Sequence, residues 1–161
     1  MRKTIFVFFT TLLISAAFLL GPKMCVAAHP EGEAALGGIT LGSTVSYVES
    51  VYGQPRGYRT IQGVAGPLKA SVYGGSFLVG YYKGIVQEVI TTANNGIKTP
   101  AGLTVGMSER HLLATYPAKP GYYSDTMVNK YSYVFTNGQY LDVEVNKETR
   151  KVSYIRLRYE G

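Results

Sequence analysis

The strongest constraint on this chain is a phrase that it carries twice. "GITLGSTVSYVESVYGQP" occupies residues 38–55 and "GLTVGMSERHLLATYPAKP" occupies residues 102–120. Gly38, Thr40, Gly42 and Tyr52 recur 64 residues later as Gly102, Thr104, Gly106 and Tyr116. Thr44 and Ser108 share one repeat position, and both are good helix N-caps. Val45, Val48 and Tyr52 then follow at helical spacing, as do Leu112, Leu113 and Tyr116. Gly53 ends the first helix as a C-cap glycine, and Pro117 blocks continuation of the second. Helices of two to three turns are marginal alone, so each must be held by packing on something larger.

That larger element is a sheet. After the first phrase come "GYRTIQ", "LKASVY", "FLVGYY" and "IVQEVITT"; after the second come "GYYSD", "KYSYVF", "YLDVEV" and "KVSYIRLRY". These runs are rich in Tyr, Val, Ile and Phe and are punctuated by Gly and Asn, which marks strands and turns. Asn137-Gly138 is the clearest hairpin signal and predicts a type I′ turn. Gly74-Gly75 and Lys83-Gly84 mark further hairpins. The fold class expected is therefore α+β: two tandem repeats, each a short helix packed on an antiparallel sheet of three to four strands. The first repeat spans residues 38–96 and the second 97–161. Residues 29–37, "HPEGEAALG", read as a flexible lead-in.

The last hairpin divides by face. Leu141, Val143 and Val145 alternate with Tyr140, Asp142 and Glu144, while Ile155 and Leu157 alternate with Tyr154, Arg156 and Arg158. The apolar set faces the helix, and the polar face sets two acids opposite two arginines, pairs that stabilise sheets modestly. Tyr82, Tyr140, Tyr154, Arg156 and Arg158 are the candidate contact residues on the outer face. "GIVQEVITT" differs: Ile85, Val86, Val89 and Ile90 make it apolar on both faces, so it lies centrally or is covered.

The first 28 residues read as a secretory signal peptide. Arg2 and Lys3 precede an uncharged, mostly apolar stretch, and Val26-Ala27-Ala28 supplies small residues before a cut at His29. Cys25, the single cysteine, has Lys23-Met24 before it, not the small residues of a lipobox, and leaves with the signal. The expected product is an exported chain, periplasmic or extracellular, with no thiol chemistry and no stable membrane span after cleavage. Its charge falls from +6 to +3, with 13 basic and 10 acidic residues of mixed order. That is too weak a bias for a nucleic-acid footprint.

Catalytic chemistry finds little support. Only His29 and His111 are present, there is no G-x-S-x-G elbow, and "GGITLGST" lacks the lysine of a phosphate-cradling loop. Asp142 and Glu144 beside arginines read as ion-pair partners and not as acids of raised pKa. No cofactor or metal is expected. The enzymatic alternative is a small secreted hydrolase or metal-dependent enzyme centred on His111; another is a structural envelope protein without a ligand.

The pattern Gly-apolar-Thr-x-Gly-x-(Ser/Thr)-x-x-x-apolar-x-x-x-Tyr-Gly-x-Pro, followed by strands, resembles the small outer-membrane-assembly lipoproteins (SmpA/BamE) and the β-lactamase-inhibitor-protein-like modules. The resemblance covers residues 37–160. The Trp-containing strand pattern and lipidated Cys of the first family and the disulfides of the second are missing, so no binding residue carries over. It implies a non-catalytic module that binds a protein or cell-envelope component through a Tyr-rich sheet face or loops.

Overall fold

The computed structural model describes residues 34–160. The expected signal peptide and residues 29–33 of the lead-in lie outside the described residues. The chain runs β1 (Ala35–Leu36), β2 (Ile39–Thr40), α1 (Val45–Tyr52), β3 (Gly57–Gly63), β4 (Gly66–Tyr73), β5 (Phe77–Tyr82) and β6 (Ile85–Thr91). It continues with α2 (Glu109–Thr115), β7 (Gly121–Ser124), β8 (Val128–Val134), β9 (Gln139–Asn146) and β10 (Lys151–Tyr159).

The expected division into two helix-on-sheet repeats is not what forms. Among the described residues strand dominates, at 51% against 12% helix, and eight strands join in one antiparallel sheet of order β3-β4-β5-β6-β10-β9-β8-β7. The seam that abolishes the division is β6 against β10, with Ile155 opposite Thr91, Leu157 opposite Val89 and Arg158 opposite Glu88. Both strands carry apolar residues suited to a central place, and pairing them removes two exposed edges. The apolar run in β6 thus marks a strand with neighbours on both sides.

One hydrophobic core lies under the helix-bearing face. It joins Val48 of α1 and Leu112 of α2 to Phe77, Val79, Val89, Tyr133, Leu141, Val143, Ile155 and Leu157. Residues 34–37 depart from the flexible lead-in expected of them. Ala34 and Leu36 belong to this core, and β1 pairs with β2. Gly37 also donates its N–H to the Lys98 carbonyl at 2.9 Å. The polar composition of "HPEGE" hid an apolar "AAL" that the core takes in.

The twin phrases act as straps across hairpin ends. Gly42 donates to the Val86 carbonyl at 2.9 Å, and Val86 donates back to Ser43 at 2.8 Å. Gly106 donates to the Val152 carbonyl at 2.8 Å, and Val152 donates back to Met107 at 2.8 Å. Gly42 and Gly106 have φ of 85° and 95°, a region that L side chains avoid, so glycine is required there. Thr44 Oγ1 accepts the Tyr47 N–H and Ser108 Oγ accepts the His111 N–H, each at 3.2 Å, so both N-caps close.

The Asn137-Gly138 hairpin is not type I′. Gly138 has φ of 74°, but Asn137 is not in the positive region, and its Oδ1 instead accepts the Gln139 N–H at 3.2 Å. Consecutive positive φ values occur at Lys83 (49°) and Gly84 (79°), where β5 turns into β6.

The sheet curls toward its other face. Gly80 sits at a register irregularity between β5 and β6, and such bulges bend a strand. A Cβ on Gly80 would lie 2.9 Å from Ile61 Cδ1 and 3.3 Å from Leu68 Cδ1. Ile61 belongs to β3, two strands away, so β3 and β4 fold back over β5 through the space the glycine leaves.

Candidate functional site

The curl makes a trough. Gln62, Gly63 and Val64 at the β3–β4 hairpin and Gly121 and Tyr123 of β7 line the same cavity, though they come from opposite ends of the sheet. The cavity measures about 690 Å³, within the ordinary range for ligand sites. Its floor is the outer face of β8, β9 and β10: Lys130, Ser132, Asp142, Glu144, Tyr154, Arg156 and Arg158.

Three of the candidate contact residues come together there. Tyr154, Arg156 and Arg158 project from alternate positions of β10, while Ile155 and Leu157 between them are fully buried on the core side. An irregularity between Val152 and Tyr154 sets this phase. Tyr154 is half-buried, and desolvation pushes its phenol well above the ordinary range. Tyr140 stands beside the group: the Arg158 guanidinium lies 4.6 Å from its ring centroid, and its hydroxyl donates to Glu160 at 3.0 Å. Tyr82 lies apart. It is 58% exposed and borders a second cavity of about 490 Å³ with Pro67, Leu68, Glu88 and Tyr159.

Every charge on the trough floor has an opposite partner. Arg156 Nη2 meets Glu88 Oε2 at 2.7 Å, Arg158 Nε meets Asp142 Oδ2 at 2.5 Å, and Lys130 Nζ meets Glu144 Oε1 at 2.9 Å. Ser132 Oγ also donates to Asp142 at 2.7 Å. Arg156 stands opposite Asp142 in the β9–β10 ladder but turns to Glu88 on β6. Glu88 is buried, and this desolvation raises its carboxyl pKa, with the Arg156 hydrogen bond working against the rise. The Glu144 hydrogen bond holds the Lys130 ammonium above its ordinary value.

Three participants escaped the sequence reading. Glu88 was hidden in the apolar strand; its signal was being the one acid in that run. Lys130 faces Glu144 directly in the β8–β9 register, which the alternation in "NKYSYV" encodes. Tyr123, 61% exposed, stands at the trough rim opposite Lys130.

His111 is exposed on α2 and lines neither cavity. Among the described residues no cluster of His, Cys, Asp or Glu could hold a metal ion. A separate buried group lies beneath α2: Glu109 accepts from Asn129 Nδ2 at 3.0 Å and from the Tyr131 hydroxyl and pairs with Arg150. It ties the helix start to β8 and to the β9–β10 turn.

No protein-family model matches the chain, and no curated protein matches it in sequence. The fold is shared with solved structures of proteins exported by bacteria. A cysteine-rich secretory protein of Staphylococcus aureus aligns over 83% of this chain and 49% of its own, with a TM-score of 0.59 and 14% identity. An extracellular protein of Bacillus anthracis that contains an SCP domain aligns over 74% of this chain and 44% of its own, with a TM-score of 0.50 and 12% identity. The chain spans about half the length of each of these proteins. At such identities the likeness is one of fold. No helix among the described residues is long and apolar enough to cross a membrane.

Proposed function

We propose that this chain is an exported, non-enzymatic binding module that holds a protein or cell-envelope component in the trough. The observation that carries this reading is the trough itself: a curled sheet whose outer face keeps a cavity of about 690 Å³ between its two ends. A sheet with one face on the core and a concave outer face whose floor is charged and polar presents a fixed set of side chains. The paired charges there are positioned by the ladder and not by mobile loops, a rigid arrangement suited to recognition. Export is supported by the N-terminal sequence and by the secretory and extracellular character of the two proteins of like fold. The resemblance to the SmpA/BamE and β-lactamase-inhibitor modules belongs to the same reading, as non-catalytic binding.

The test is site-specific photo-crosslinking in intact cells. A benzophenone residue in place of Tyr123 at the rim is compared with one in place of Tyr47, which is 47% exposed on α1. Adducts from position 123 and none from position 47 support the trough. Adducts from position 47 alone place binding on the helix side and defeat the reading.

A further inference from the structure

The charge pairing in the trough bears on the class of occupant. Three cations, Lys130, Arg156 and Arg158, are matched one to one by Glu144, Glu88 and Asp142 at 2.9, 2.7 and 2.5 Å. A charged polymer would have to break a pair before gaining one, and each pair is already positioned by the sheet. A neutral ligand meets no such cost. The pairs still offer hydrogen bonds, because a guanidinium has five donors and a carboxylate accepts at several lone pairs. Ser132 and the exposed Gln62 add hydroxyl and amide groups.

The backbone groups of the floor are withheld. The floor strands β8, β9 and β10 each have a neighbour on both sides, so their N–H and C=O groups are engaged in the ladder. A peptide that binds by adding a strand needs a free edge; the edges of this sheet, β3 and β7, stand at the trough walls, while the floor offers side chains only. A ligand rich in hydroxyls and poor in charge suits that surface. Tyr123 at the rim and Tyr154 on the floor flank the Lys130–Glu144 pair and supply aromatic surface with a polar tip. The apolar C–H face of a sugar ring stacks on such rings while its hydroxyls reach the ion pairs.

We infer that the trough takes an uncharged glycan chain, with Tyr123 and Tyr154 as stacking platforms and the Lys130–Glu144 and Arg158–Asp142 pairs together with the Arg156 guanidinium as the hydrogen-bonding array. This rests on the trough being the binding face. The experiment titrates the full mature chain with chitotetraose, cellotetraose and maltotetraose, with dextran sulfate as an anionic comparison. The expected result is saturable binding of at least one neutral tetrasaccharide, with affinity nearly unchanged between about 0.05 and 0.5 M salt. Tyr123→Ala, at an exposed position that spares the core, weakens it about tenfold or more. Glu144→Gln, which breaks the floor pair, weakens it as well. Binding of none of the three sugars by wild-type protein overturns the inference, as does binding that both variants leave unchanged. Salt-sensitive capture of dextran sulfate alone also overturns it. Trough adducts to a protein in the crosslinking test, with no sugar bound, overturn the glycan and leave the binding face standing. Adducts from position 47 alone, with no sugar bound, remove both.

Discussion

Glu88 of β6 and Arg156 of β10 meet at 2.7 Å although 68 residues separate them in sequence. Their contact crosses the seam that makes one sheet of two groups of four strands. The Glu88 side chain is 2% exposed and that of Arg156 is 22%. A carboxylate so enclosed depends on its partner, because removing one member leaves an uncompensated buried charge.

Arg156→Met is therefore expected to cost about 2–4 kcal/mol of stability, more than a surface ion pair would. Replacing both residues, as Glu88→Gln with Arg156→Met, recovers part of that loss. Urea denaturation of the two single variants and the double variant measures the coupling. Strict additivity would show that the pair does not act as one unit.

Stability should also depend on pH through Glu88. Burial raises its carboxyl pKa in the folded chain, so the folded state holds the proton more tightly than the unfolded state. Acidification through the raised value then adds stability, and the gain levels off once the ordinary glutamate range, near about pH 4.3, is passed. Relative to Glu88→Gln, the wild type is expected to become more stable as pH falls across that window. A constant difference between the two proteins would contradict the assignment.

The curl depends on Gly80. The added Cβ of alanine meets the ends of two flexible side chains, Ile61 Cδ1 at 2.9 Å and Leu68 Cδ1 at 3.3 Å, so Gly80→Ala is expected to cost about 1 kcal/mol or less. Gly80→Val overfills the site, at about 1–3 kcal/mol, and pushes the β3–β4 hairpin off the trough. Adding Ile61→Ala should restore part of the loss in thermal melts. No rescue would mean that β3 is held over β5 by something else.

The repeated tyrosines anchor the chain ahead of each phrase. Tyr52 donates its hydroxyl to the Gly37 carbonyl at 2.6 Å, and Tyr116 donates to Thr99 Oγ1 at 2.8 Å. Each Tyr→Phe change should cost about 1 kcal/mol, with Tyr52→Phe also speeding amide exchange at residues 36–38. Equal exchange in wild type and variant would remove that anchoring role.

The positions and faces of the strands were legible because period-two alternation forces one set inward. Leu141, Val143 and Val145 needed no tertiary information. The pairing of β6 with β10 was not legible. No turn connects them, so nothing local fixes their register, and the sequence suggested two small sheets where one forms. Glu88 was obscured for the same reason: its partner lies on a strand that only the closed sheet brings near. In the site, alternation placed Tyr154, Arg156 and Arg158 on one face, but the curl that encloses them comes from Gly80 and Ile61, which meet only after folding. Tyr82 shares that outer direction, yet the fold-back of β3 and β4 leaves it beside a different cavity. The Asn137-Gly138 dipeptide misled because Asn137 uses its side chain, through Gln139, in place of a left-handed backbone.

The most direct measurement of the central claim is a map of backbone amide shifts during titration with the material that the protein binds. If the trough is the binding face, the changes gather at Tyr123, Lys130, Ser132, Glu144, Tyr154 and Arg156 and at the 62–64 hairpin, and leave α1 and α2 unmoved. Changes confined to α1, α2 and the strap residues 42–44 and 106–108, with the trough silent, would contradict it.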